Sequence, residues 1–260
     1  MANQIQEKKN NLPAEINNPS AWGAPQMSSQ DITLPRLMVM QGLSEMVIEK
    51  KAAIGDFVDS LSGKVIGNIS NSPLVFVPFH MEIIWYKYHF NNKEKEFELI
   101  SKHPLCTDPT SKDYNDKWQN EEVVKIDGKD VEVKRERRYF FYAIDCAEPN
   151  GLPLVLLFKV TSASTGKKLA TQMYVKNVQA GKTPAHRAFK FTGKQESNAK
   201  GDFVVPTIEE FRDSTPAELA SAFKWFKTVT AGAVKVDQAE DEKPLAKQKV
   251  EPINEKTAEY

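Results

Sequence analysis

Short apolar or alternating runs, separated by Gly, Pro and polar turn residues, follow one another through most of the chain at a spacing of about ten residues. Runs of this length that are rich in Val, Ile, Phe and Tyr are typical of the strands of an all-β domain. Residues 55–60 and 62–67 predict two short strands around a glycine-containing turn. Residues 74–79 predict a buried strand, because the run is apolar almost throughout.

The next run, residues 83–90, alternates with the period of two that places successive side chains on opposite faces of a sheet. The even-numbered side chains are apolar or aromatic and predict the face toward the core: Ile84, Tyr86, Tyr88 and Phe90. The odd-numbered side chains combine an aromatic ring, a cation and an imidazole: Trp85, Lys87 and His89. The second face is therefore a candidate surface for stacking on flat ligands.

Residues 91–122 are polar, contain two prolines and show no sustained period, so they predict a long inserted loop. Strand signals return at residues 123–126. The Asp-Gly pair that follows predicts a hairpin turn into a strand over residues 131–144. Residues 152–161 predict a further buried strand.

A helix is predicted over residues 165–178, because an apolar stripe recurs there at the helical period, with Ser164 or Thr165 as the cap and Gly181 past the end. Two short strands are expected after this helix, over residues 189–192 and 203–208. A loop rich in Gly, Lys and Asn joins them.

A second helix has the clearest start signal in the chain. Thr215 as the cap, Pro216 at the first helical position and Glu218 three residues after the cap form a capping box. The helix is expected to end near Val229. Its period predicts four inward-facing side chains: Leu219, Ala222, Phe223 and Phe226.

Helices do not alternate with strands in this order, which favours a small β-barrel over a βαβ fold. We therefore expect a mainly β fold, a small β-barrel with two or three helices, over residues 31–230. Residues 1–30 and 231–260 are polar and have little to bury. We expect them to form a disordered N-terminal arm and a disordered C-terminal tail.

The overall composition is that of an ordinary globular protein, with 40% hydrophobic and 27% charged residues and a formal net charge of zero. No apolar run approaches the ~20 residues that span a bilayer, and the N-terminus has no apolar signal segment, so we expect a cytoplasmic protein without a membrane partner. Two cysteines do not suggest a secreted disulfide framework, which fits a reducing compartment.

The zero net charge conceals a strong segregation of charge along the chain. Residues 134–200 contain thirteen Lys or Arg and four Asp or Glu, a net charge of +9. Residues 31–133 sum to −5 and residues 201–234 to −2. An asymmetry of this kind points to a polyanionic partner.

Within the basic segment, four cations run directly into four aromatic rings between residues 134 and 142. Lys and Arg follow the phosphates of a single strand while rings stack on its unpaired bases, at roughly 1–3 kcal/mol per base. The alternative is purely structural: aromatic runs in strands commonly belong to the core, and runs of charge commonly lie on solvated faces. The lysines and arginine after residue 163 face a single acid as far as residue 200, which shifts the balance toward nucleic-acid binding.

Patterns for catalysis and metal binding are lacking in the sequence. The four histidines are scattered, and no Ser/His/Asp or Cys/His arrangement can be assigned from spacing. The run Thr-Gly-Lys-Lys at residues 165–168 lacks the earlier glycine of a phosphate-binding loop, so it is interpreted as a helix start. We expect no enzyme activity, no cofactor and no metal.

Three parts of the chain resemble a known class of proteins: residues 33–37 (TLPRL) with 41–44 (QGLS), residues 54–58 (IGDFV) leading to 74–79 (LVFVPF), and residues 166–177 (GKKLATQMYVKN). Together they resemble bacteriophage single-stranded DNA-binding replication proteins over approximately residues 30–230. The resemblance implies an OB-type barrel and a role in phage DNA replication, recombination or repair. It also implies the host cytoplasm as the location, and replication or recombination proteins as partners of the C-terminal tail.

The hypothesis is a non-enzymatic, sequence-tolerant protein that coats and protects single-stranded DNA. Trp85, Tyr139 and Phe141 are expected to stack on bases, and Phe140 and Tyr142 replace the last two if the opposite face of their strand looks outward. The expected cationic contacts are Lys87, Lys134, Arg135, Arg137, Arg138, Lys167, Lys168, Arg187, Lys190 and Lys194.

Two alternatives belong to other classes of protein. The same basic face could dock on an acidic host protein such as a polymerase or nuclease. A nucleic-acid-processing enzyme is the third, weaker interpretation, in which acids come together only in the fold. Homo-oligomer formation is compatible with all three.

Overall fold

A computed structural model describes the following parts of the chain, to which every structural statement below refers: residues 32–91, 96–104, 123–126, 128–159, 162–198, 201–232 and 235–236. Strands dominate these residues and most belong to one mixed sheet. The strands are β1 (Thr33–Leu34), β2 (Arg36–Val39), β3 (Asp56–Asp59), β4 (Val65–Asn68), β5 (Leu74–Asn91), β6 (Glu96–Pro104), β7 (Val123–Ile126), β8 (Lys129–Asp145), β9 (Leu154–Phe158), β10 (Arg187–Asn198), β11 (Gly201–Asp213) and β12 (Lys235–Val236).

The helical elements are fewer and lie mainly late in the chain. They are α1 (Glu45–Ile48), α2 (Ala163–Ala170) with its π-helical continuation Thr171–Asn177, a 3₁₀ helix (Pro184–His186) and α3 (Pro216–Thr230). The two longer helices predicted from the sequence are both present, within a few residues of the expected limits.

The ten-stranded sheet runs in the order β11-β10-β5-β8-β9-β2-β3-β4, with β6 added to β5 and β7 to β8. The β2–β9 ladder is parallel and the other ladders of this sheet are antiparallel. The strands β1 and β12 form a separate parallel pair. The predicted Asp-Gly hairpin is confirmed, since β7 and β8 pair on either side of it and Gly128 adopts a φ of 76°.

The centre of the sheet is the pair of long strands β5 and β8, of 18 and 17 residues. The two strands predicted at residues 74–79 and 83–90 are one continuous strand. Its register with β8 shifts at a bulge between Pro78 and His80, and the pairing continues on both sides of the bulge. The inner halves of β5 and β8 lie in the core. Their outer halves, with β6 alongside, form an extension that we call the ribbon: residues 83–90, 98–103 and 133–139.

The sheet curls around one of its two cores. Phe57 of β3 stacks on Phe191 of β10, with ring centroids 5.2 Å apart, although these strands are far apart in the strand order. Gln41 Oε1 accepts from the backbone N–H of Val204 of β11 at 2.7 Å, and Gln41 Nε2 donates to the Val204 carbonyl at 3.3 Å. However, no ladder joins the end strands β4 and β11 in the described sheet. The mainly β class is confirmed, while the expected closed barrel is wrong.

The second core lies on the other face of the sheet, beneath α3. The capping box is confirmed: the Glu218 backbone N–H donates to Thr215 Oγ1 at 3.3 Å, and the Thr215 N–H donates to Glu218 Oε2 at 2.7 Å. Ala222 and Val229 pack into this core. The predicted inward orientation of Phe223 and Phe226 is wrong, because they are 59% and 38% exposed.

Three expectations about less regular regions have different outcomes. The loop predicted over residues 91–122 is wrong in part, because β6 pairs with β5 within it. Residues 105–122 lie outside the described part of the chain. The predicted arm, residues 1–30, and most of the predicted tail, residues 231–260, also lie outside it; the described residues of the tail are 231–232 and β12.

Candidate nucleic-acid interface

The ribbon places the predicted stacking and cationic side chains opposite one another on neighbouring strands. On β5, Trp85 pairs with Arg137 of β8 and Lys87 with Arg135. On the other edge of β5, Trp85 pairs with His103 of β6. Directly paired residues share a face of the sheet. We call this side the Trp85 face; its members are Trp85, Lys87, His89, Glu98, Ser101, His103, Arg135 and Arg137.

Arg137 is held between two aromatic rings on this face. Its guanidinium carbon lies 5.7 Å from the ring centroid of Trp85 and 5.0 Å from that of Tyr139. Both distances are within the range of cation–π attraction. Burial raises the pKa of the Tyr139 hydroxyl, and the nearby Arg137 charge partly offsets that effect. The guanidinium is therefore oriented by its neighbours.

The two arginines of the Trp85 face have no acid close to them among the described residues. Glu98 is engaged by His89, with an Nε2–Oε2 distance of 3.3 Å. In the described residues, no carboxylate lies within ion-pair distance of Arg135 or Arg137. Arg135 Nη1, Arg137 Nε and His89 Nδ1 are buried without a hydrogen-bond partner in this part of the chain. Buried donors of this kind are normally satisfied, so an anion or water is expected beside them.

On the opposite face of the ribbon, the arginine is paired with an acid. Arg138 Nε donates to Glu136 Oε1 at 2.8 Å, and the guanidinium also contacts the Tyr88 hydroxyl. Its carbon lies 4.0 Å from the ring centroid of Tyr86. Arg138 is thus a buried, ion-paired side chain, and its predicted phosphate contact is wrong. Lys134 lies on the same side and is exposed.

Two of the three predicted stacking residues are buried. Tyr139 and Phe141 are 2% and 0% exposed. Tyr139 lies against α2, since a Cβ added at Gly166 would lie 3.2 Å from the Tyr139 Cβ and 2.9 Å from the Phe158 Cβ. Phe141 packs edge-on against Phe158 of β9, with ring centroids 5.6 Å apart. Their stacking role is therefore wrong. The alternatives Phe140 and Tyr142 are buried in the second core, so neither face of the inner strand presents a ring.

Trp85 and Lys87 differ in their accessibility. Trp85 is partly exposed. Lys87 is only 4% exposed between the flanking strands, so the prediction that it contacts phosphate at the surface is wrong. The part of the predicted ribbon site that remains accessible on this face consists of Trp85, Arg135 and Arg137.

The lysines of α2 have separate environments. Lys167 is exposed. Lys168 donates its ammonium to the backbone carbonyl of Ile208 at 3.4 Å, which ties α2 to β11. Thr165 Oγ1 makes a similar contact with the Pro206 carbonyl at 2.8 Å.

The remaining predicted cations lie on the hairpin formed by β10 and β11. Arg187 lies 3.4 Å from Asp213 and 3.8 Å from Glu210. Lys190 is directly opposite Glu209, and its ammonium lies 4.2 Å from the exposed ring of Phe211. Lys194 is exposed. The fold thus places these cations apart from the Trp85 face, and the hairpin supplies its own acids.

Comparison with known proteins supplies a family for this chain. The model of the Pam3 phage gp34-like protein family matches residues 7–235. The chain belongs to the Pam3 phage gp34-like family. No curated protein and no solved structure matches it. Membership of the Pam3 phage gp34-like family indicates a bacteriophage protein, which confirms the phage part of the sequence resemblance.

Sequence reasoning missed the third strand of the ribbon in this member of the Pam3 phage gp34-like family. Strand β6 brings His103 beside Trp85, and Lys102 within 5.4 Å of the Tyr86 ring centroid. The signal was the short alternation of acidic and apolar residues at 96–99, which the polar, proline-containing surroundings obscured.

Metal-binding clusters and membrane-spanning helices are both absent from the described residues. No three His, Cys, Asp or Glu side chains come together there in a way that would hold a metal ion. No helix in that part of the chain is long and apolar enough to cross a bilayer.

Proposed function

We propose that this phage protein binds single-stranded DNA through the Trp85 face of the ribbon, without reading its sequence and without catalysis. The observation that supports the proposal is the pair Arg135 and Arg137, which lie beside a partly exposed indole and have no carboxylate partner among the described residues. Cations follow the phosphates and an indole stacks on any base, so the combination suits an unpaired strand of any sequence.

The ribbon favours an unpaired strand over a duplex on chemical grounds. A duplex hides the flat surfaces of its bases, so Trp85 would have nothing to stack on. Reading a duplex sequence requires hydrogen bonds to base edges in a groove, usually from an inserted helix. On the Trp85 face, the three side chains that remain accessible lie on strands.

The test is a fluorescence titration of the full chain with oligothymidylate and with duplex DNA, at about 50 mM and 200 mM salt. The proposal predicts saturable binding to oligothymidylate that is tighter than binding to the duplex. It also predicts that affinity falls with salt, at a log–log slope of about −0.7 per phosphate neutralised. Absence of binding, or affinity that does not change with salt, would contradict the proposal.

A further inference from the structure

The outward side of α3 carries aromatic rings where polar side chains would be expected. Phe223 and Phe226 are 59% and 38% exposed, while the helix buries Ala222 and Val229 on its other side. Single exposed apolar residues are common on protein surfaces. Two phenylalanines on one side of one amphipathic helix require a more specific explanation.

A cation is placed on these rings. Phe223, Phe226 and Lys227 stand at positions i, i+3 and i+4, so they share one side of the helix. The Lys227 ammonium lies 4.4 Å from the ring centroid of Phe223. The Phe226 ring lies 5.8 Å from the His80 ring of β5, with the planes at 68°. We call these four residues the Phe223 patch.

The helix around the Phe223 patch is positively charged. Glu218 is buried, capped onto Thr215 and paired with Arg212 at 2.6 Å, so it does not contribute negative charge to the surface. From residue 219 to 232 the sequence contains Lys224 and Lys227 and no acid. Glu82 lies beside the patch, where its carboxylate is 3.6 Å from His80 Nε2.

We propose that the Phe223 patch is a second binding surface for unpaired nucleic acid, a proposal that rests on the proposed function. Exposed rings next to ammonium groups suit a ligand that has both flat bases and negative charge. An apolar protein partner would match the rings but would leave the two lysines uncompensated. A single strand matches both features, because its bases stack on rings and its phosphates pair with ammonium groups.

The two surfaces lie on opposite faces of the sheet. Ala222 and Val229 of α3 pack in the core that contains Phe140 and Tyr142. Trp85 points to the face that contains Tyr139 and Phe141. A short oligonucleotide therefore cannot touch both surfaces at once. One chain is expected to hold two segments of single strand.

The test is a count of oligonucleotides bound per chain. Native mass spectrometry of the full chain with an oligothymidylate of about six nucleotides is expected to give two bound per chain. The variant F223A/F226A is expected to bind one oligonucleotide per chain. F223A alone is expected to weaken binding at the patch by at least about 5-fold. The ribbon variant R135A/R137A is expected to retain the oligonucleotide bound at the patch.

Leu152→Ala is the control for F223A, because each substitution removes one exposed apolar side chain, Leu152 at 51% and Phe223 at 59% exposure. It is expected to leave the count at two. Thermal unfolding of each variant shows that it folds.

One oligonucleotide per chain, unchanged in F223A/F226A, overturns the second surface while the ribbon proposal stands. Absence of binding at any length overturns both. A wild-type dimer that F223A/F226A converts to monomer, with the count unchanged, makes α3 a self-association surface instead.

Discussion

The ribbon and the β10–β11 hairpin both derive from the cation-rich part of the sequence, but their charges have different surroundings. In the ribbon, Arg135 and Arg137 lie beside Trp85 and have no carboxylate partner in the described residues. In the hairpin, Arg187 has two carboxylates within 4 Å. Residues 187–213 contain five Lys or Arg and five Asp or Glu, so the hairpin as a whole has no net charge.

The difference shows that strand pairing decides whether a charge is available. The net charge of +9 over residues 134–200 includes β10 but excludes β11, whose acids follow next in the sequence. Antiparallel pairing brings those acids back beside the cations of β10. We infer that the hairpin cations stabilise the fold and that the ribbon cations bind a ligand.

The largest effect is expected from removing both ribbon arginines. R135A/R137A should weaken binding of oligothymidylate to the Trp85 face by about 30- to 100-fold, because each arginine is expected to contact phosphate. The log–log salt slope should become shallower by about 1.4. Fluorescence titration at two salt concentrations measures both quantities. Wild-type affinity with an unchanged slope would place the phosphate contacts elsewhere.

The next largest effect is expected on the free energy of unfolding, from removing the acid that pairs with Arg212 of the hairpin. Glu218→Ala removes a cap and leaves Arg212 of β11 without its carboxylate, so the free energy of unfolding should fall by about 2–3 kcal/mol. Binding to oligothymidylate should not change. Urea unfolding of the variant and of Glu209→Ala, which removes an exposed acid of the same hairpin, gives the comparison. Equal free energies of unfolding for the two variants would contradict a structural role for the pair of Arg212 and Glu218.

The same pair predicts a pH dependence. The bond from Arg212 lowers the pKa of Glu218 to about 2, below the value of about 4.3 for an unfolded chain. A lowered pKa stabilises the fold above the unfolded value, and that contribution is lost as the pH falls toward 2. The stability difference between wild type and Glu218→Ala should therefore shrink between about pH 4 and pH 2. A stability difference that stays constant over this range would contradict the lowered pKa of Glu218 as the cause of the pH dependence.

Trp85 should have a smaller effect than the two arginines together. Trp85→Ala removes one stacking platform and should weaken binding about 10-fold, while Trp85→Phe should retain most of the affinity. Phe211→Ala removes the exposed ring of the hairpin and should change affinity less than about 2-fold. Equal losses for Trp85→Ala and Phe211→Ala would remove the distinction between the two regions.

The smallest effect is expected from the hairpin lysines. K190A/K194A removes two positive charges, the same number as R135A/R137A, but should weaken binding less than about 3-fold through long-range attraction alone. The salt titration of this variant serves as the matched control for the ribbon arginines. A loss as large as that of R135A/R137A would show that net charge, and not the ribbon, governs binding.

The parts of the fold that depend on neighbouring residues were predictable from the sequence. The capping box at Thr215 and the Asp-Gly hairpin are local signals and appear where expected. The alternation at residues 83–90 correctly placed Trp85 and Lys87 together. These features depend on chain stiffness and periodicity, which are visible in a short window.

The rest depends on contacts between distant segments. Tyr139 and Phe141 are aromatic residues of a strand, and distant segments make them core residues: α2 approaches Tyr139 at Gly166, and Phe158 of β9 packs on Phe141. The burial of Lys87 depends on β6, which the sequence pattern did not reveal. The failure of the sheet to close also has no local signal, because it concerns β4 and β11 at opposite ends of the strand order.

The most direct test of the central claim is photo-crosslinking of the full chain to an oligothymidylate that carries 5-iodouracil, which reacts with aromatic side chains in contact. Peptide mass spectrometry then identifies the attachment sites. Binding through the ribbon predicts an adduct at Trp85 that is lost in R135A/R137A. Adducts at Phe211 of the hairpin without any at Trp85, or no adduct under conditions where the oligonucleotide binds, would contradict the claim.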